Sequence, residues 1–389
     1  MRDVYIAGIG QTAATKGGEQ RGRYLARAAI EAALRDAGSD PAGVGALYIG
    51  NMMSGILGRQ QLLGPLVADL AGMRGVEAMT AEGACASGAA AMRLAHLAVG
   101  GGAHDMVVVC GMERMSHVPR DETTCALATA ADWELEGCAG ESFLSLNARL
   151  MALYMDRHGV EPVDFAPFAI AAHRNALANP HAVLHKPLDT DGYLASRIVS
   201  DPVRLMDAPP ICDGAAAVVV CSEPVARALR PGAPRVRVRA SAVGTDSLAL
   251  ANRRDPLVLD GARASSARAY EQAGVGPDDI DLFELHDAYT VISALSLEAA
   301  GFARPGEGTR LAAEGRIAPG GDVPIATMGG LKARGHPVGA TGVYQLAEAY
   351  LQLSERAGGS QVPDAELAMV QNIGGTGAMV VTHILERAA

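Results

Sequence analysis

The 389-residue chain lacks most of the features that mark large functional classes. No lysine- or arginine-rich block interrupts it, and its formal charge is -10 at neutral pH. That balance argues against a nucleic-acid or anionic-membrane surface, and leaves room only for a local basic patch facing a phosphorylated ligand. The six cysteines (Cys85, Cys110, Cys125, Cys138, Cys212, Cys221) form no CxxC pair and no zinc-ligand spacing. Few, unpatterned cysteines in a chain of this length point to a reducing, cytoplasmic setting. No apolar run approaches the roughly 20 residues of a membrane span. The first residues read directly as a strand, Val4–Gly10, rather than as a signal peptide. Aromatic residues make up only 4%.

What is there instead is small and apolar. Hydrophobic residues reach 49%, with 46 glycines, so the core is expected to be Ala, Val and Leu with close backbone approaches. The length suits roughly two or three domain-sized units. A helix is expected over Tyr24–Ala37 and a strand over Ala46–Ile49. The phrase Ala37-Gly38-x-x-Pro41-x-x-Val44-x-x-Leu47 returns as Ala273-Gly274-x-x-Pro277-x-x-Ile280-x-x-Phe283, a constant offset of 236 residues. A small-residue helix followed by a strand also occurs twice, after Cys85 and after Gly335. This reads as a duplicated α/β unit. The expected halves are residues 1–230 and 231–389, divided at Pro231-Gly232-Ala233-Pro234. Within the first half, residues 116–203 are richer in charge and carry His158, His173, His181 and His185; they read as a strandless helical insertion or lid, its histidines solvated.

Four stretches carry candidate chemistry. Cys85 stands among Gly83, Ala84 and Ala86 at the head of a run of helix formers. A helix N-terminus favours a thiolate, although a buried structural cysteine fits the same pattern. His286 follows a strand, where α/β sheets place ligands, or is simply a satisfied structural histidine. Met328–Gly342 describes a tight glycine-rich loop that presents His336 at a helix start; Lys332 and Arg334 beside it either attract a phosphate or are solvated. Gln371–Gly377 is a glycine-rich turn, offering oxyanion donors or forming a plain hairpin.

Taken together, a cysteine nucleophile, two histidines and a glycine-rich turn drawn from both halves resemble the thiolase superfamily over essentially the whole chain. The resemblance rests on the Cys85 segment, His286-Asp287-Ala288, Asp213-Gly214-Ala215-Ala216-Ala217 and, most specifically, Gly335-His336-Pro337-x-Gly339-Ala340-Thr341-Gly342. His286, where biosynthetic thiolases typically carry asparagine, is similar to the sterol-carrier-protein-type branch, and within it to the thiolases of archaea and some bacteria. The resemblance implies a duplicated five-layered αβαβα fold, at least a dimer, and an insertion that helps bind coenzyme A. It further implies that Cys85 accepts the acyl group, that His336 activates it, and that His286 and His336 form one oxyanion hole. The N–H groups of Cys85 and Gly374 would form the second. Acyl-CoA thioesters are then substrates, with no metal or redox cofactor. Archaeal-type relatives also suggest a small OB-fold zinc-ribbon partner protein.

One position departs from the family. Thiolases generally carry a second cysteine before the glycine-rich turn, and aligning on the turn puts Gln371 there. Glutamine is no acid or base at neutral pH. Either a histidine takes over proton transfer at the α-carbon, or the chain is a decarboxylative ketosynthase-like enzyme, or it is a scaffold-dependent, non-catalytic subunit.

Overall fold

Runs such as Gly214–Ser222 are apolar on both faces, which a strand tolerates only when helices cover both sides of its sheet. The computed structural model describes residues 1–232 and 234–388, so Ala233 of the inter-half segment and Ala389 lie outside the described residues. The first half runs β1 (Val4–Gln11), α1 (Gly22–Ala37), β2 (Ala46–Gly50), α2 (Leu63–Leu70), β3 (Glu77–Ala81), α3 (Ser87–Gly100) and β4 (Met106–Glu113). The insertion follows with α4 (Arg120–Ala128), α5 (Phe143–His158), α6 (Ala166–Ala176), α7 (Thr190–Ala195), β5 (Ile198–Ser200) and β6 (Val203–Arg204), after which β7 (Gly214–Ser222) and α8 (Glu223–Leu229) close the half. The second half comprises β8 (Arg235–Thr245), α9 (Asp260–Ala273), β9 (Leu282–Glu284), α10 (Thr290–Ala299), α11 (Gly308–Ala313), α12 (Thr341–Leu353), β10 (Leu367–Gly374) and β11 (Met379–Ala388).

The large sheet has the order β3-β2-β4-β7-β1-β8-β11-β10-β9. Read outward from the central β1–β8 pair, each half repeats one pattern. β1 pairs antiparallel with β7 as β8 does with β11; β4–β7 and β10–β11 are antiparallel; β2–β4 and β9–β10 are parallel. The 236-residue phrase falls at matching places. Gly38 and Gly274 both end a helix in the left-handed region, at φ 71° and 66°, where a Cβ is disfavoured. Pro41 and Pro277 each open the 3₁₀ turn before the next strand.

Side-chain alternation sorts the core into layers. Ala215, Ala217 and Val219 of β7 pack with α1, α2 and α8. Ala216, Val218 and Val220 face the other way, onto a cluster that holds α3, α12 and Val236, Val238 and Val370 of the second half. Beyond it, Met369, Ile373 and Val380 pack with α9, α10 and the insertion's α5. The layers are thus helices, first-half strands, α3 with α12, second-half strands, helices: the expected αβαβα arrangement. Among the described residues, no helix is long and apolar enough to cross a membrane.

The insertion differs from its expectation in two respects. It is mainly helical, but β5 and β6 form a small ribbon at its end. Its histidines are not a solvated set. His173 is buried with Nδ1 on the Lys186 carbonyl, and His185 Nε2 reaches the Asn179 carbonyl, so both tie the insertion's own backbone together.

Candidate active site

Cys85 lies in a 3₁₀ turn, Ala84–Ala86, immediately before α3. Ala84 has φ +52°, a left-handed conformation costing a non-glycine residue about 1–2 kcal/mol. Three hydrogen bonds hold the turn. Ser87 Oγ accepts from Gly83 N (3.0 Å) and donates to Ala84 O (2.6 Å), while Glu82 accepts from Ala84 N (2.6 Å). At about 1 kcal/mol each they are enough to offset the strain.

The loop after α11 brings His336 to the same place, though not at a helix start as expected: a separate 3₁₀ turn, Val338–Ala340, intervenes before α12 begins at Thr341. Lys332 and Arg334 are neither solvated nor facing a ligand. Lys332 Nζ donates to the Asp207 carbonyl, and buried Arg334 pairs with Glu348 (3.0 Å) and donates to Gly335 O (2.8 Å). Both cations brace the loop from beneath. His286 arrives from the segment between β9 and α10, and its ring meets that of His336 edge-on, with centroids 5.1 Å apart. Cys85 Sγ and one ring nitrogen from each histidine all lie within 4.8 Å of one another.

Each ring has a second partner that bears on its tautomer. Thr341 Oγ1 lies 2.7 Å from His336 Nδ1 and donates its single hydrogen to Pro337 O (3.2 Å). The threonine oxygen therefore accepts from Nδ1–H, leaving His336 Nε2 with a free lone pair. Asn372 Nδ2 lies 3.0 Å from His286 Nδ1; with the amide donating there, His286 carries its proton on Nε2. One imidazole is an acceptor and its neighbour a donor.

Burial dominates the electrostatics. It pushes the Cys85 thiol up to about 12, and Glu113 adds to the rise. The helix terminus contributes about 0.3–1 kcal/mol, under one pKa unit, so the thiolate expected from position alone is not the resting form. Burial, and then Arg334, hold His286 down at about 3. Burial, His286 and Arg334 hold His336 well below the usual histidine value. The resting site is a neutral thiol beside two neutral imidazoles.

Two further residues support the site without having stood out in the sequence. Glu113, at the end of β4, accepts from Asn51 Nδ2 (2.8 Å), Met52 N (3.0 Å) and Gly339 N (3.2 Å), joining the loop after β2 to the His336 loop. Burial lifts its carboxyl to about 7. Its only trace in the sequence is an acid ending an apolar strand. Asn372 is the second, and it corrects the reading of Gln371. Gln371 lies on β10 with its amide on Ser266 (3.0 Å) and Thr382 (3.2 Å), facing α9 and away from Cys85. Successive strand residues point to opposite faces, so the β10 side chain that meets the histidines is Asn372. Gly374 ends the same strand against the cysteine turn; a Cβ there would stand 2.3 Å from Gly83 O. Arg253 clamps the turn beyond it through Thr376 O (2.7 Å) and Thr376 Oγ1 (2.9 Å).

Cys85, His286 and His336 line one cleft of about 1070 Å³, counted to its open mouth. Its remaining wall is mostly apolar, with Leu127, Phe143, Leu144 and Val199 from the insertion and Tyr289 and Ile292 from the second half. A buried thiol beside a neutral base and an N–H donor, at the floor of an apolar cleft, suits transfer of an acyl group through a covalent thioester.

Comparison with known proteins agrees. Residues 4–224 match the family described as thiolase, N-terminal domain, and residues 242–387 match thiolase C-terminal domain-like. The chain belongs to the thiolase family, and it is an acyltransferase. An acetyl-CoA acetyltransferase of Methanothermobacter thermautotrophicus is 39% identical, with 100% of each chain covered. A benzoylsuccinyl-CoA thiolase subunit, BbsB, of Thauera aromatica is 33% identical over 96% of this chain and 95% of its own. A solved structure described as an Ltp2-ChsH2(DUF35) aldolase superposes with a TM-score of 0.86 at 25% identity, covering 99% of this chain and 98% of that one.

Proposed function

We propose that this acyl-CoA C-acyltransferase works through a Cys85 acyl-enzyme, interconverting two acyl-CoA molecules with a 3-ketoacyl-CoA such as acetoacetyl-CoA plus coenzyme A. The observation that carries the reading is the convergence of Cys85 Sγ with the two ring nitrogens, one imidazole an acceptor and the other a donor. His336 Nε2 takes the thiol proton as Sγ attacks the thioester carbonyl. The tetrahedral intermediate collapses, the bond to coenzyme A sulfur breaks, and the leaving thiolate recovers the proton from His336. The second acyl-CoA then loses an α-proton to His336, neutral again, and its enolate oxygen accepts from His286 Nε2–H. The enolate carbon attacks the acyl-Cys85 carbonyl, and the released Cys85 sulfur takes the proton back. Backbone N–H groups of Cys85 and Gly374 hold the carbonyl oxygen of the acyl-enzyme.

His336 serves both halves of this cycle because no other cysteine lines the cleft: Cys110 and Cys221 are buried in the sheet, Cys212 is buried behind the His336 loop against the backbone of Gly335 and His336, and Cys125 and Cys138 are exposed. That same observation favours a second reading, decarboxylative condensation, in which loss of carbon dioxide from a malonyl thioester supplies the carbanion without an α-proton base. Intact mass and peptide mapping after incubation with acetyl-CoA test the first half-reaction. An acetyl adduct on Cys85, absent in Cys85→Ala, is expected; no adduct with any acyl-CoA would overturn the transferase chemistry at Cys85. Faster turnover of malonyl-CoA than acetyl-CoA would select the second reading.

The insertion's wall over the cleft supports its role in holding coenzyme A. The exposed edge strand β3, with Met79, Ile56 and Leu62 also exposed nearby in the chain, supports a homodimer or a dimer of dimers. The two-component name of the similar solved structure supports an additional partner, for which a small OB-fold zinc-ribbon protein is our candidate. Six unpaired cysteines fit a reducing cytoplasm, and lipid metabolism is the setting we assign.

A further inference from the structure

The three groups proposed to move acyl chains also make a ligand set of a different kind. Cys85 offers one sulfur, and His286 and His336 one nitrogen each, all buried and within 4.8 Å of one another. A tetrahedral zinc ion, at about 2.3 Å from sulfur and about 2.0–2.1 Å from nitrogen, needs ligand atoms about 3.3–3.6 Å apart. Binding therefore has to draw the three ligand atoms closer than they stand, and the rings already stand edge to face, at 83°. One thiolate and two imidazoles are soft and borderline donors, which select zinc, cobalt or copper and reject magnesium and calcium. All three side chains line the cleft, from which a water would supply the fourth ligand.

We infer that Cys85, His286 and His336 form an inhibitory site for a soft divalent metal ion, zinc being the probe, and that metal and acyl group exclude each other. Binding replaces the Sγ–H bond with a sulfur–zinc bond and releases one proton to solvent, so the stoichiometry balances without any redox partner. Metal-ligating histidines characteristically hold their other nitrogen on a neighbouring oxygen, and His336 already does so through Thr341 Oγ1 at 2.7 Å. His286 must first move its proton from Nε2 to Nδ1. Asn372 is suited to permit this: its Oδ1 is buried and, among the described residues, has no hydrogen-bond partner. Turning the amide over presents Oδ1 to Nδ1–H and frees Nε2 for the metal. The same asparagine thus holds His286 as a donor during acyl transfer and as a ligand when metal is bound.

The inhibition rests on the acyl-enzyme reading; the binding does not. Two readouts on the full-length protein separate them: acetyl adduct formation on Cys85 in chelator-buffered zinc, and the optical spectrum of the cobalt(II) form. One cobalt per chain with a thiolate charge-transfer band is expected, with adduct formation lost on adding zinc and restored by chelator. Prior acetylation should block the band. Cys85→Ser removes it, His286→Asn weakens metal binding, and Thr341→Val lowers zinc affinity by about 10–100-fold. The Cys125→Ser/Cys138→Ser variant, which removes the exposed thiols, retains the band. Circular dichroism confirms that each variant is folded. A band that survives Cys85→Ser, or vanishes with the exposed thiols, overturns the inference. So does an unchanged zinc affinity in folded His286→Asn. A wild-type protein that acetylates but binds no cobalt at Cys85 refutes the metal site alone; one that binds cobalt but never acetylates refutes the acyl-enzyme alone.

Discussion

Beside β2 the first half places β3 and then the turn that carries Cys85; beside β9 the second half places the parallel bridge Phe283–Ile325 and then the loop that carries His336. Both lead into a helix of the central layer, α3 or α12. Cys85 and His336 therefore stand before the N-terminal ends of two related helices, which is how a duplicated unit brings the two side chains together. Elsewhere the copies diverge. By the 236-residue offset His286 corresponds to Gly50, where a Cβ would fall 2.6 Å from Gly88 Cα. Asp287 corresponds to Asn51, and both hold neighbouring loop backbone, through Leu331 N and Ser54 N. The scaffold is shared, and His286 belongs to one copy.

The largest expected effects come from removing each second-half histidine. On the proposed mechanism His336→Ala takes away the base for Cys85 and should slow acetyl-enzyme formation by about 10²–10⁴-fold. His286→Ala should leave more of that step intact and slow condensation by about 10²–10³-fold, as expected for losing one oxyanion donor. Rapid-quench measurement of adduct formation and of 3-ketoacyl-CoA release separates the two. Equal losses in both steps for both variants would deny the division into acceptor and donor. Because His336 is held well below the usual histidine value, wild-type acetylation should show no acid limb near pH 6.5.

A buried histidine on β11 probes the second half differently. His383 lies at about 3, held there by burial, then by His96 and Arg93, with only the Ala89 carbonyl raising it. Its folded value is below the unfolded one, so the stability from keeping it neutral is complete above about pH 6.5. That stability is lost toward pH 3, at up to about 1.4 kcal/mol per pH unit. His383→Leu should match the wild type in urea melts at neutral pH and gain on it steadily below about pH 6. An advantage independent of pH would mean the ring is not the group taking up the proton in the unfolded chain.

The duplication was legible because its markers are local. A left-handed glycine cap and, three residues later, a proline opening the next turn leave a signature at fixed spacing. Cys85, His286 and His336 were legible because small residues and strand ends flag them. Asn372 was hidden behind Gln371, since aligning on a turn fixes position to within a residue while strand alternation makes one residue decide the face. The charge states were hidden as well. Helix position suggested a thiolate, and only packing shows that burial outweighs the terminus. Lys332 and Arg334 read as surface cations because no pattern in the sequence announces that Asp207 and Glu348 arrive to meet them.

The smallest expected effect gives the finest comparison of the two halves. Gly38→Ala and Gly274→Ala each force a Cβ into the left-handed region at the end of α1 or α9. Space is not the constraint. The Gly38 Cβ would lie 3.5 Å from Leu229 O, and the Gly274 Cβ would have no heavy atom within 4 Å. Backbone conformation alone should therefore set the cost, about 1 kcal/mol at either site. The caps share no partner, so the double variant should lose the sum to within about 0.5 kcal/mol in chemical denaturation. Equal and additive losses would show that the repeated phrase is repeated in energy as well as in geometry. A markedly larger loss at Gly38 would show that contact with α8 has made the first copy less tolerant, and that the two caps have drifted apart since the unit was doubled.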